Sequence, residues 1–178
     1  MKSLISFAMN ATLVFGVATY AHVTFADTVE LEQKTLETIQ EEVECLAKNI
    51  YFETHARSLA DSMAVSDVVM NRVEDDRYPD TICDVVYQGP KHANGAMKRH
   101  QCMFSWYCDG KSDNPRDKKS WERAVKYAVD FYVDGQYRHI TEGSTHYHAH
   151  YVNPYWTRSK DITKVARIGV HQFYRWEN

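Results

Sequence analysis

Residues 36–53, LETIQEEVECLAKNIYFE, carry an apolar side chain at every third or fourth position. This spacing places those side chains on one face of an amphipathic α-helix. The apolar face consists of Leu36, Ile39, Val43, Leu46 and Ile50. The opposite face carries Glu41, Glu42, Glu44, Lys48 and Asn49. We therefore predict a helix over roughly residues 29–53 that packs one side against the protein core.

Glu53 occupies the position at which the apolar face would continue. A carboxyl group at the end of a buried face is poorly solvated, which disfavours its charged form and raises its pKa. A glutamate with a raised pKa is suited to act as a general acid near neutral pH. The alternative is that the helix ends earlier and that Glu53 is a solvated terminal residue.

The length and composition indicate one globular unit. A chain of 178 residues with 44% apolar residues can bury one substantial hydrophobic core. We predict a single domain over residues 27–178. The net charge of -3 is spread over interspersed acidic and basic residues, so no basic region suggests a nucleic acid partner. These features do not determine the oligomeric state, and a monomer is expected.

The N-terminal residues 1–26 have the pattern of a signal peptide. Lys2 precedes an apolar centre that includes residues 13–18, and Ala26 is a small residue at the expected cleavage point. This pattern predicts an exported protein that is periplasmic or secreted and is not attached to the membrane after cleavage. An uncleaved membrane anchor is the alternative, although the apolar stretch is short for a membrane span and is interrupted by polar residues.

Four cysteines agree with export, because an exported chain encounters oxidising conditions. They are Cys45, Cys83, Cys102 and Cys108. Two disulfides are predicted, and the sequence leaves all three possible pairings open. A bond between Cys102 and Cys108 requires the intervening segment to turn back on itself. A zinc site is the alternative, but the chain has no Cys-x-x-Cys pair.

Further helices and a small sheet are predicted after residue 53. Ser58 is placed to cap a second helix, whose apolar residues occur on more than one side and indicate a buried position. Thr81 begins a short third helix, and a fourth is predicted over residues 117–134. The segments 144–151 and 165–174 alternate and are rich in β-branched and aromatic residues, which predicts two paired strands. The predicted architecture is α+β, with a helical core and a small antiparallel sheet near the C-terminus.

Six blocks of the sequence form a recognisable pattern. They are CLAKNIYFE at 45–53, AVSDVVMNRV at 64–73, YPDTICDVVYQ at 78–88, FSWYCDG at 104–110, THYH at 145–148 and IGVHQFY at 168–174. In content and order these blocks resemble the SleB family of cell wall hydrolases, which includes spore-cortex-lytic enzymes. The resemblance extends over nearly everything from Cys45 to Tyr174 and implies a lysozyme-like fold.

The resemblance also implies an enzyme that cuts the glycan strands of peptidoglycan as a lytic transglycosylase without a cofactor. The single catalytic glutamate of the pattern matches Glu53. It would protonate the oxygen that links N-acetylmuramic acid to N-acetylglucosamine. Its carboxylate would then take the proton of the muramyl C6 hydroxyl, which closes a 1,6-anhydro ring. Attack by water would give hydrolysis instead, and that reaction usually requires a second carboxylate.

The matched blocks supply further candidates for contact with the sugar. These candidates are Ser105, Phe104, Tyr147, His148 and Tyr87, whose hydroxyls and rings suit a carbohydrate-binding groove. A packing role for the rings and a backbone-bonded role for the serine hydroxyl are the alternatives.

The sequence departs from the family pattern at two places. Where family members commonly read Glu-Ala-Arg-Gly-Glu, residues 53–57 read Glu-Thr-His-Ala-Arg, so the second acid and the glycine before it are absent. Met103 stands where a glutamine often precedes the Phe-Ser pair. Both changes leave Glu53 in place, but they alter its surroundings.

Two other functions fit parts of the sequence. Alternation places His146, His148 and His150 on one face of a predicted strand, where three imidazoles could bind zinc. Such a site would make the protein a zinc-dependent amidase or endopeptidase that acts on peptide stems. The altered loop after Glu53 suggests the other alternative, a peptidoglycan-binding protein without catalysis. His171 is assigned a structural or hydrogen-bonding role.

Overall fold

The computed structural model describes residues 25–177, in which four α-helices precede a three-stranded sheet. Helix α1, Phe25–Thr54, contains the whole of the predicted first helix and ends one residue after Glu53. The predicted signal peptide lies outside the described residues except for its last two positions. The prediction of α1 is therefore confirmed, with an earlier start.

Only the C-terminal half of the apolar face of α1 is buried. Leu46 and Ile50 have no exposed surface. Leu36 is 67% exposed, and residues 30–38 around it are exposed as well, because this part of α1 lies beyond the elements that cover the rest of the helix. The periodicity correctly identifies the buried face but does not show where the covering elements end.

Two residues of α1 that were predicted on the solvent face, Glu42 and Asn49, are buried. The Glu42 carboxylate accepts a hydrogen bond of 2.5 Å from the backbone N–H of Ile82. The side-chain oxygen of Asn49 accepts one of 3.1 Å from the indole N–H of Trp106. Both groups tolerate burial because a donor from a distant part of the chain replaces water.

Helix α2, Leu59–Val73, is the central helix of the fold. Its first turn is capped by the Ser58 hydroxyl, which accepts a hydrogen bond from the backbone N–H of Asp61 as predicted. Most of its residues are buried, polar ones included, because α1, α3, α4 and the sheet all contact it. The predicted buried position of this helix is confirmed.

Two further helices complete the main core. Helix α3, Ile82–Val86, is capped by Thr81, and helix α4, Lys118–Tyr132, is capped by Asp117. The main core lies between these helices and α1, and Phe131 of α4 is fully buried in it. Both helices match the predicted ones, and α4 is slightly shorter than predicted.

The sheet packs against α2 on the side away from this core. Strands β1, His146–Ala149, β2, Ile162–Ile168, and β3, His171–Trp176, are ordered β1-β3-β2 with antiparallel neighbours. A second, smaller core forms where Phe173 of β3 contacts Ala64 of α2. The sheet therefore presents one face to the helices and leaves the other face outermost.

The prediction of a single strand over residues 165–174 is wrong, because a turn divides this segment between the two arms of a hairpin. Gly169 separates β2 from β3 in a left-handed conformation with φ of 58°. A Cβ atom at this position would lie 2.6 Å from Cγ of Asp61, so only glycine permits the approach of this turn to α2. The alternating pattern continues through the turn, which hides it from the sequence.

Both predicted disulfides form, and the structure selects their pairing. Cys45 of α1 is joined to Cys83 of α3, and Cys102 is joined to Cys108. The second bond is possible because a 3₁₀ turn, Ser105–Cys108, folds the intervening segment back. The first bond ties the helix that carries Glu53 to the main core.

We expect the Cys45–Cys83 bond to contribute more stability than the Cys102–Cys108 bond. Their sequence separations are 38 and 6 residues. The loop-entropy relation assigns about 4 kcal/mol to the longer loop and about 2 kcal/mol to the shorter one. Paired Cys→Ala variants of each bond, unfolded with urea, should therefore differ by about 2 kcal/mol in the free energy of unfolding. Equal losses from the two pairs would contradict this order.

Candidate active site

A cavity of about 260 Å³ lies where the end of α1 meets α2, the segment before the 3₁₀ turn and the β1 edge of the sheet. Its lining consists of Glu53, Arg72, Met103, Phe104, Ser105, Tyr147, His148, Ala149 and His171. All the site residues predicted from the sequence except Tyr87 are in this set. Residues from both ends of the described chain thus converge on one concave site.

Glu53 enters the cavity from the last turn of α1. Its side chain is half-buried, and the surface that it exposes faces the cavity. Removal from water raises the pKa of this carboxyl above its ordinary value of 4.5. The alternative of a freely solvated Glu53 at a helix end does not fit this position.

Three neighbours act against the effect of burial on Glu53. The positive charge of His171 is the largest of these influences and lowers the pKa of Glu53. The Tyr147 hydroxyl and the Arg72 guanidinium lower it further, while the Asp61 carboxylate raises it. Burial outweighs them, so the pKa remains raised. Burial thus shifts the carboxyl towards its protonated form, and His171 and Arg72 stabilise the carboxylate that remains after the proton has left.

The Tyr147 hydroxyl is directed at this carboxyl. It is buried and makes no hydrogen bond of normal geometry to any residue in the range 25–177. The two groups nevertheless affect each other, because Glu53 raises the pKa of Tyr147, after the larger effect of burial. The phenol thus stands beside Glu53 with a donor that is available to the carboxylate.

Arg72 is a buried cation in the wall of the cavity and is 4% exposed. Its Nε donates a hydrogen bond of 2.8 Å to the backbone carbonyl of Thr145. Its guanidinium carbon lies 5.1 Å from the ring centre of Phe104 and 5.5 Å from that of Tyr78. Its Nη1 is buried without a hydrogen-bond partner among the described residues. The aromatic faces and one carbonyl hold the charge in place and leave one nitrogen uncommitted.

His171 is held by a carboxylate behind the cavity wall. Its Nδ1–H donates a hydrogen bond of 2.9 Å to Oδ1 of Asp61, and both residues are buried. The close approach of Gly169 to Asp61 lets the β2–β3 hairpin reach α2 and form this pair. This hydrogen bond fixes the imidazole ring of His171 in the cavity wall, where its charge lowers the pKa of Glu53.

Another part of the lining comes from residues 103–105, at the start of the 3₁₀ turn. Phe104 is almost fully buried and forms an apolar floor beside Arg72, whereas Ser105 is exposed at the rim. Met103 is 41% exposed and also lines the cavity. The departure from glutamine at this position therefore places a thioether directly in the site.

His148 reaches the cavity from the edge strand β1. Its Nδ1 lies 2.9 Å from the carbonyl oxygen of Ala149, and its Nε2 lies 2.9 Å from the Tyr174 hydroxyl. Tyr87, by contrast, does not line the cavity, because its ring packs 4.6 Å from that of Tyr107. Tyr87 directly follows α3 and packs in this aromatic cluster.

The loop that departs from the family pattern keeps a conformation suited to glycine. His55 and Ala56 have φ values of 51° and 48°, in the left-handed region. Ala56 donates its N–H to the Thr54 hydroxyl at 3.0 Å and accepts a hydrogen bond of 3.1 Å from Arg123. These contacts hold the strained turn without the glycine, and Glu53 stays in the cavity.

The three histidines considered for zinc do not form a metal site among the described residues. No group of three histidine, cysteine or acidic side chains in residues 25–177 is placed to hold a metal ion. His146 lies 3.0 Å from the Thr145 hydroxyl, and His150 lies beyond the end of β1 with its Nδ1 3.1 Å from the Val170 carbonyl oxygen. Each imidazole is thus engaged separately.

Three residues around Glu53 were not predicted as site residues. They are Arg72, Asp61 and His171, the last of which was assigned only a structural or hydrogen-bonding role. The available signal was the presence of charged side chains in α2, a helix predicted to be buried. A buried charge needs a partner or a function. The sequence does not indicate which distant residue would provide it.

Comparison with known proteins gives one family and one fold. The sequence model of a family described as Cell Wall Hydrolase matches residues 57–174, a range that begins just after Glu53. The solved structure of the catalytic domain of the Bacillus cereus SleB protein is similar, with a TM-score of 0.52 and 18% sequence identity. The likeness covers 75% of this chain and 89% of that chain. No curated protein matches the sequence.

The structural likeness confirms the predicted α+β, lysozyme-like fold with its small antiparallel sheet. Within residues 25–177, no helix combines the length and the apolar character needed to cross a membrane.

Proposed function

The chain belongs to the cell wall hydrolase family, enzymes that degrade peptidoglycan, and from this premise we propose that it acts on the glycan strands with Glu53 as general acid and base. The proposed reaction is cleavage of the bond from N-acetylmuramic acid to N-acetylglucosamine as a lytic transglycosylase. The proposed site is the cavity that Glu53, Phe104, Ser105, Tyr147 and His148 line together with Arg72 and His171.

One observation carries this proposal. Glu53 is the single carboxyl-bearing residue among those that line the cavity, and burial raises its pKa. Hydrolysis by paired carboxylates requires a second acid across the scissile bond, and no such acid lines this cavity. Asp61 is turned away, because it is bonded to His171 behind the wall. A reaction that uses one acid twice fits this lining.

The first step uses the protonated form of Glu53. Its carboxyl donates the proton to the glycosidic oxygen, the bond to C1 of the muramyl residue breaks, and the N-acetylglucosamine part of the strand leaves with a free hydroxyl. The muramyl ring carries the oxocarbenium charge that develops in this step. The new Glu53 carboxylate is stabilised by the positive charges of His171 and Arg72 and by the Tyr147 hydroxyl.

The second step returns the proton. The Glu53 carboxylate accepts the proton of the muramyl C6 hydroxyl as its oxygen bonds to C1, which gives the 1,6-anhydro ring and restores the acid. Phe104 gives the site an apolar surface, which disfavours water that would otherwise compete for C1.

Analysis of the reaction products tests the proposal. Purified peptidoglycan digested by the protein should yield anhydromuramyl fragments, which mass spectrometry separates from hydrolysis products by the mass of one water molecule. Reducing muramyl ends would show that the protein hydrolyses the same bond and is not a transglycosylase. Free peptides would support the zinc-dependent amidase instead, and binding without any product would support the inactive alternative.

We further propose that the protein acts outside the cytoplasm. Its substrate lies there, and the two disulfides suit an oxidising compartment. The signal peptide predicted over residues 1–26 would direct the export, to the periplasm or to the medium.

A further inference from the structure

A β-bulge brings two basic side chains to one face of strand β2. Lys164 pairs with Tyr174 of β3 and Arg167 pairs with Gln172, so three steps along β2 oppose two steps along β3. Without the extra residue, Lys164 and Arg167 would point to opposite faces of the sheet. The bulge therefore changes the direction of one of these cations.

The bulge is held by a side chain of the neighbouring strand. The buried Gln172 donates a hydrogen bond of 2.6 Å from its Nε2 to the carbonyl of Ala166, which lies within the bulge. This contact satisfies a carbonyl that the regular ladder would otherwise leave unpaired. The bulge is thus stabilised by a specific hydrogen bond within the sheet.

The two cations lie in the wall of a cavity of about 400 Å³ on the outer face of the sheet. The lining consists of His148, His150, Val152, Asn153, Lys164, Arg167, Gln172 and Tyr174. It contains no acidic residue, and neither Lys164 nor Arg167 forms an ion pair among the described residues. A polar cavity with two uncompensated cations favours an anionic ligand. We call it the basic cavity.

The basic cavity adjoins the proposed active site. His148 lines both cavities, because it stands on the edge strand β1 between them. A group attached to the sugar beside Glu53 can therefore pass over the edge of β1 onto the outer face of the sheet. A peptide of three to five residues spans about 10 to 17 Å when extended, which suffices for such a path.

We propose that the basic cavity binds the carboxylates of the peptide stem carried by the muramyl residue. This inference rests on the proposed function and specifies its substrate as glycan that bears stems. The stem is attached to the sugar that the active site must hold, and it carries free carboxylates. Lys164 and Arg167 would donate charge-assisted hydrogen bonds to these carboxylates, and Asn153 would be a further donor in the same wall.

The test uses two substrates that differ in the peptide. Peptidoglycan is first treated with hydrofluoric acid to remove phosphate-bearing polymers, and one half is then stripped of stems with an amidase. The Lys164→Gln/Arg167→Gln variant should lose roughly tenfold in kcat/KM on stem-bearing glycan and should match the wild type on stripped glycan. Raising the salt concentration should reduce the difference between wild type and variant.

A matched control removes two positive charges from another part of the surface. Lys118 and Lys119 are exposed on α4 and line neither cavity, so Lys118→Gln/Lys119→Gln should behave as wild type on both substrates. Equal losses of the Lys164→Gln/Arg167→Gln variant on both substrates, or no loss on either, would overturn the stem site. A defect that appears only before the hydrofluoric acid treatment would assign the cavity to phosphate polymers and would overturn it as well.

A binding measurement separates this inference from the proposed function. Wild-type protein should sediment with stem-bearing glycan more strongly than with stripped glycan, and the Lys164→Gln/Arg167→Gln variant should lose that preference. If no preparation is cleaved, the lytic function fails while the sedimentation still decides the stem site. Equal retention of the wild type on both glycans would overturn the stem site, whatever the activity.

Discussion

Replacing Glu53 with glutamine is expected to lower the turnover of purified peptidoglycan by a factor of about 10² to 10⁴ and to leave the protein folded. Glutamine keeps the size and shape of the side chain but has no proton to donate to the glycosidic oxygen. It also cannot take the proton of the C6 hydroxyl, so both proposed steps fail. Release of soluble muropeptides measures the activity, and circular dichroism measures the fold.

The same variant should change the pH dependence of stability. The folded protein holds the Glu53 proton above the ordinary pKa of 4.5, where the unfolded chain has already released it. Since the native state then binds more protons, wild-type stability falls as the pH rises from 4.5 through the raised pKa. The Glu53→Gln variant lacks this decrease, which urea unfolding at several pH values would show.

Glu41→Gln provides the matched control, because Glu41 is an exposed acid on the same helix. It should retain wild-type activity and the wild-type fall of stability with pH. Wild-type activity in the Glu53→Gln protein would remove Glu53 from the mechanism. An unfolded Glu53→Gln protein would show instead that the carboxyl has a structural role.

The second large effect is expected for His171→Gln. The charge of His171 is the strongest influence that lowers the pKa of Glu53, so its removal should raise that pKa further. A weaker acid at the glycosidic oxygen should lower kcat by roughly tenfold. The alkaline limb of the kcat/KM profile, where the acid loses its proton, should move to higher pH. The glutamine amide can still donate to Asp61, which limits the loss of stability.

Asp61→Asn separates an electrostatic role from a structural one. It weakens the same hydrogen bond but removes an anion that raises the pKa of Glu53. Its alkaline limb should therefore move less than that of His171→Gln, or in the opposite direction. Identical profiles in the two variants would indicate that the pair only supports the wall. His171 thus acts through Glu53, whose pKa it lowers, and is a positioning residue.

The family pattern predicted most of the residues that line the cavity. Phe104, Ser105, Tyr147 and His148 were predicted and line one cavity with Glu53, whereas Tyr87 does not. Helix periodicity alone leaves Tyr87 undecided, because a five-residue helix has too few positions to define a face. Its neighbours in space, which the sequence does not specify, determine its direction.

The sequence by itself determined the features that depend on near neighbours along the chain. The capping of three helices by Ser58, Thr81 and Asp117 follows from interactions across three or four residues. The burial of α2 follows from its apolar content on several sides.

Only the tertiary structure decided which charges meet. The Asp61–His171 hydrogen bond joins residues 110 positions apart, and the contact from Arg72 to Thr145 spans 73. The bulge that brings Lys164 and Arg167 to one face depends on the pairing of β2 with β3. Such contacts form only when packing of the core fixes distant segments together, so no local pattern in the sequence encodes the electrostatic surroundings of Glu53.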